Sequence, residues 1–158
     1  MTPALIPWLP LIAAVLHIVE EFVVPGGFAA WDRDYRPEFA STITPRFHVI
    51  VNALFLILCY DAGAMFGKPA GIALWLTVVA LESANGVWHA TGALRTNRYS
   101  PGMLTGMGLY VPLAVWGYPY LIFGGRASLP TAAFAFLIGI SYQLWVGKAI
   151  HRWRKRTA

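Results

Sequence analysis

Five stretches of this chain stay apolar for the length a helix needs to cross a lipid bilayer. They run from Ala4 to Val24, Phe47 to Phe66, Pro69 to Leu94, Met103 to Phe123 and Leu129 to Ile150. A spanning helix takes about 20 mainly apolar residues. In hydrocarbon every backbone polar group must find its partner within the protein, which leaves helices and closed barrels. Barrel strands would be short and would alternate apolar with polar residues, and these stretches do not alternate. The expectation is an all-α fold: a polytopic bundle of five transmembrane helices forming a single transmembrane domain over residues 1–158. Composition agrees, with 58% hydrophobic and 12% charged residues, against about 45–50% and about 25% in soluble domains.

Pro and Gly punctuate the joins at Pro25-Gly26-Gly27, Gly67-Lys68-Pro69, Ser100-Pro101-Gly102 and Gly124-Gly125. Arg33, Arg36 and Arg46 fall in the first connection, Arg95 and Arg98 in the third, and Arg152, Arg154, Lys155 and Arg156 in the tail. The second connection carries only Lys68 and the fourth only Arg126. Positive loops stay in the cytoplasm, so the N-terminus is expected outside and the C-terminus inside a multi-pass protein of the cell membrane. The net charge of +5 is thus an orienting charge, and no nucleic-acid partner is expected. The expected partners are membrane lipids and a lipid-like substrate, and a homo-oligomer is compatible with this reading. Cys59 is the only cysteine, which excludes an internal disulfide. The first segment lacks a basic n-region and runs on into His17, Glu20 and Glu21, so a cleaved signal peptide is not expected. The first connection, from Pro25 to Arg46, mixes aromatic and charged residues and reads as an interfacial anchor or as a lid over a site.

Ionisable side chains inside spans are costly and usually face the bundle interior. The first segment carries His17, Glu20 and Glu21, the second His48 and Asn52, and the third Glu82, Asn85 and His89. Each set repeats at helical spacing and forms one polar stripe. At about 1.5 Å per residue, His17, Asn52, Asn85 and Gln143 each lie about 9–10 Å from the same, cytoplasmic, side. The stripes should therefore meet in one half of the membrane.

The run His17-Ile18-Val19-Glu20-Glu21 resembles the signature of the HXXEE-domain family of integral membrane proteins. Asn85-Gly86-Val87-Trp88-His89 and Tyr99-Ser100-Pro101-Gly102 are similar to that family's later motifs. The resemblance extends from His17 to about Thr105 and implies a membrane enzyme without indicating its substrate.

The leading expectation is a metal-dependent membrane enzyme, hydrolase-like or oxidoreductase-like, acting on a lipid or other apolar substrate. Imidazole suits Zn and Fe, and carboxylates add oxygen donors. A catalytic site needs about three protein ligands and an open position. His17, His48 and His89 are the candidate ligands, with Glu20, Glu21 or Glu82 completing the set. Glu20, Glu21, Glu82, Asn52 and Asn85 are candidate catalytic groups. Tyr99, Ser100 and Gln143 are candidate substrate contacts. A second expectation is metal-free acid–base isomerisation of a lipid or isoprenoid by a His–Glu pair. A third is a small proton- or ion-coupled transporter, although the polar residues occupy one half of the membrane only.

Overall fold

A computed structural model describes residues 4–41 and 44–157, with side chains as far as Gln143. The described residues form helices and no strand. A 3₁₀ turn, Ile6–Trp8, leads into helix α1 (Leu9–Phe22), and a short amphipathic helix, α2 (Phe28–Tyr35), follows. Helix α3 (Pro45–Ala64) and helix α4 (Pro69–Thr96) come next. One continuous helical rod then runs over Met103–Phe123. It comprises α5 (Met103–Thr105), a π turn (Gly106–Tyr110) and α6 (Val111–Phe123). Helix α7 begins at Leu129.

Local sequence explains these boundaries. Both α3 and α4 begin with Pro, whose fixed φ and missing N–H suit the first helical turn. The Thr44 hydroxyl accepts from the Phe47 N–H at 3.2 Å and caps α3. Helix α4 stops at Asn97, which adopts the left-handed conformation common just past a helix end.

Among the described residues three helices are long and apolar enough to cross a membrane: Pro45–Ala64, Pro69–Thr96 and Met103–Phe123. The first apolar segment of the sequence folds as the 3₁₀ turn plus a 14-residue helix, shorter than a full span. The described apolar part of the last helix is Leu129–Gln143.

Helix α4 is the axis of the bundle. It packs against α1, α3, α6, α7 and the π turn. Trp75, Leu76, Val78, Val79 and Ala80 on it are fully buried, whereas α3 exposes Val49, Leu54 and Ile57, as a lipid-facing helix would. Close helix approach in lipid relies on small residues. A methyl group on Gly86 would come within 2.6 Å of the Gly106 backbone. This contact presses α4 directly onto the π turn and sets how near α4 can bring its polar stripe to α1 and α5.

Candidate functional site

The HXXEE segment forms the last two turns of α1, so His17, Glu20 and Glu21 share one face but point about 100° apart per residue. That angular step gives them different neighbours. His17, Glu20 and Glu21 are all buried, although they lie near the end of α1.

Glu20 turns toward the start of α5. Its Oε1 accepts from the Gly102 N–H at 2.9 Å and the Leu104 N–H at 3.0 Å. Its Oε2 accepts from the Thr105 N–H at 2.7 Å and the Thr105 hydroxyl at 2.5 Å. The Tyr99 hydroxyl also donates to Oε1. The first N–H groups of any helix lack intrahelical partners, and a carboxylate there also meets the positive end of the helix dipole. Glu20 therefore acts as an N-cap supplied by another helix, and it pins the 99–105 turn to α1. Burial, and then the adjacent Glu20 carboxylate, push the Tyr99 phenol above its ordinary range.

Glu21 turns toward two imidazoles. Its Oε1 lies 3.1 Å from Nε2 of His89 and 3.5 Å from Nε2 of His17. His17, Glu21 and His89 are all buried, with their donor atoms within 4.8 Å of one another. Neither Nε2 atom has a hydrogen-bond partner of good geometry among the described residues. The other ring nitrogens are taken: Nδ1 of His17 sits 2.9 Å from the Thr105 hydroxyl, and Nδ1 of His89 sits 2.9 Å from the Ser100 hydroxyl. The Thr105 hydroxyl gives its proton to Glu20, so toward His17 it can only accept. Nδ1 of His17 thus carries a proton, and its Nε2 faces a carboxylate oxygen that brings only lone pairs. A proton or a cation must lie between them. Imidazoles whose far nitrogen is held by a hydroxyl or carboxylate are the usual arrangement around a metal ion.

Packing fixes the rings. His17 and His89 meet edge to face at 5.1 Å between centroids, and Tyr110 of the π turn covers His17 at 4.6 Å. A methyl on Gly102 would lie 2.8 Å from Cε1 of each histidine, so the turn rests directly on both rings. The first connection covers the other side. Phe28 lies 5.2 Å and Trp31 6.3 Å from the His89 ring, and the Trp31 ring packs against Gly92 of α4.

Beside the cluster lies a cavity of about 100 Å³. Glu21, His48, Asn52, Asn85, His89 and Gln143 line it, together with Phe28, Arg36, Phe47, Val51, Trp88 and Tyr142. Of the residues singled out from sequence, His17, Glu21 and His89 form the cluster, and His48, Asn52, Asn85 and Gln143 face the adjoining cavity. His48 Nε2 and the Asn85 side-chain carbonyl are buried without partners among the described residues. Glu20, Tyr99 and Ser100 stand behind the imidazoles, with their oxygens engaged as described. Glu82 belongs to neither group. It is fully buried in α4, and neither carboxyl oxygen has a hydrogen-bond partner among the described residues.

Sequence reasoning overlooked two features. Gly102 reads only as a turn residue until its contact with both histidines is seen. Asp32 and Arg36 form a pair at i, i+4, with Nε donating to Oδ1 at 2.7 Å and Nη2 to Oδ2 at 2.8 Å. Their i, i+4 spacing in the first connection was the available signal.

An apolar helical bundle with a buried His–Glu–His cluster and a polar cavity beside it defines a membrane-type protein with a candidate metal centre. The chain belongs to the family described as protein of unknown function with HXXEE motif, whose model matches residues 8–117. That match spans α1 to the middle of α6 and so includes every residue of the cluster. No curated protein and no solved structure matches the chain.

Proposed function

We propose that this chain is a multi-pass membrane metalloenzyme in which His17, Glu21 and His89 hold a divalent cation, zinc or iron, and which acts on a lipid or other apolar substrate. One observation carries the reading: two buried Nε2 atoms, neither with a hydrogen-bond partner of good geometry among the described residues, converge on a single carboxylate oxygen. Buried polar atoms are ordinarily satisfied, and a shared cation satisfies all three at once. Three protein ligands leave a position open, as catalytic centres require.

When bound, the ion supplies Lewis acidity at that position. The chain's own residues do the remaining work. Thr105 and Ser100 hold the imidazoles through Nδ1, and Glu20 holds Thr105. His48 lines the cavity, and its buried Nε2 has no partner among the described residues, so it is placed to take or give a proton there. The amides of Asn52, Asn85 and Gln143 orient a substrate carbonyl or hydroxyl. Helix α2, with Phe28 and Trp31, acts as the lid that excludes water. The protein forms one transmembrane domain in the cell membrane, with five membrane segments, the N-terminus outside and the site in the cytoplasmic half. Loop charge supports this orientation.

Elemental analysis of protein purified in detergent without chelator tests the proposal. Near-stoichiometric zinc or iron, lost in His17→Ala and in His89→Ala, is expected. Wild-type protein that carries no metal and takes up neither ion on addition would overturn it. The 3.1 Å separation of His89 and Glu21 is also hydrogen-bond length, and it favours the metal-free acid–base isomerase as the second reading. In that case a proton bridges the pair.

A further inference from the structure

Two apolar grooves open along α4, and the second adjoins the cavity beside the site. One, of about 530 Å³, lies between α4, α6 and α7, with Ser83, Val87 and Phe136 in its wall. The second, of about 370 Å³, shares Ser83, Val87 and Phe136 with the first and adds Trp88, Ile140 and Gln143. Trp88 and Gln143 also line the polar cavity beside His89. The second groove thus adjoins both the first groove and the cavity, and the series is apolar away from the cluster and polar beside it.

The polar end is small. About 100 Å³ corresponds to a few water molecules, too little for a phospholipid headgroup. Its polar lining includes three side-chain amides (Asn52, Asn85 and Gln143) and two imidazoles (His48 and His89), which recognise hydroxyl, carbonyl and amide groups, beside the Glu21 carboxylate. Among the described lining residues Arg36 is the only Lys or Arg, and its guanidinium is engaged along one edge and one face. Two of its nitrogens bond the buried Asp32 carboxylate, and its flat face lies 4.6 Å from the Trp88 ring.

We infer, building on the enzyme reading above, that the substrate is a single-chain amphiphile with a small, unphosphorylated head such as a hydroxyl, ester or amide. The head sits in the cavity among Asn85, His48 and Gln143. The tail passes between Trp88 and Gln143 and lies in the groove along Val87 and Phe136. Ordinary bilayer lipid would fill the groove without regard to its head. Dependence of tail binding on the cavity is therefore the property to measure.

The experiment uses the full chain in nanodiscs and a monoacylglycerol carrying a diazirine in its acyl chain. Lysophosphatidylglycerol with the same chain serves as the comparison. Photolabelling of groove peptides by the monoacylglycerol should be saturable and should fall about tenfold in Val87→Trp and in Ile140→Trp, each of which displaces the equivalent of two methylenes. It should also fall in Asn85→Ala, which leaves the groove intact. The phosphorylated probe should label without saturation. Equal, unsaturable labelling by both probes would overturn the inference, as would labelling that is indifferent to Asn85→Ala and to both groove variants. Metal content measured on the same samples separates the two readings. Metal present with no saturable labelling removes the substrate inference alone. Saturable labelling without metal removes the metal centre alone.

Discussion

Nε2 of His89 lies 3.1 Å from the same Glu21 oxygen that faces Nε2 of His17 at 3.5 Å, and all three groups are buried. If a cation joins them, removing the carboxylate should hurt metal binding about as much as removing an imidazole. Glu21→Gln is expected to lose most of its bound metal while remaining folded, measured by elemental analysis beside circular dichroism. Full metal occupancy in Glu21→Gln would show that Glu21 is not a ligand.

Glu20 should behave differently from its neighbour. Its five hydrogen bonds hold the 99–105 turn, and that turn holds both Nδ1 atoms. Glu20→Gln replaces one acceptor oxygen with an NH₂ that faces donors. Metal affinity should fall about 10–100-fold, as for residues that orient ligands, and thermal stability should drop by about 1–3 kcal/mol. Competition with a zinc chelator and thermal unfolding in detergent read the two effects. Unchanged values of both would exclude this positioning role.

Two glycines with similar backbone angles give a controlled comparison. Gly102 has φ +99° and its added methyl would meet both histidine rings at 2.8 Å, whereas Gly27 has φ +89° and nothing within 4 Å. Gly27→Ala should cost only the backbone penalty of about 1 kcal/mol. Gly102→Ala should cost about 1–3 kcal/mol more from overpacking and should weaken metal binding as the imidazoles shift. Equal losses of stability with unaltered metal affinity would mean the turn does not bear on the site.

Glu82 is fully buried, and neither carboxyl oxygen has a hydrogen-bond partner among the described residues. Burial of such a group costs free energy that an apolar side chain of similar size avoids. Glu82→Leu should therefore raise the unfolding temperature. A lower unfolding temperature would indicate that the carboxyl has a stabilising partner, such as a bound ion or water. Lost activity together with raised stability would identify a residue kept for function.

The chain's covalent order alone determined that the protein is helical and suited to a membrane. Long apolar runs without alternation leave few other ways to satisfy a backbone in lipid. It also placed His17, Glu20 and Glu21 on one face and matched their depth to Asn85 and His89, because helical rise and turn angle are the same in every helix. The HXXEE family was legible in the same way, from motifs contiguous in the chain.

Which carboxylate joins the histidines was decided only by the tertiary structure. Glu20 and Glu21 are adjacent in sequence, and a step of about 100° sends one to the open end of α5 and the other to His17 and His89. Glu82 shares the stripe of His89, yet two helical turns, about 10 Å, carry it out of the cluster. Spacing along one helix sets direction and depth, but the neighbour met in that direction depends on which helices pack together. Here the backbone contact of Gly86 with Gly106 brings α4 against the π turn that directly follows the 99–105 segment, whose hydroxyls hold both imidazoles.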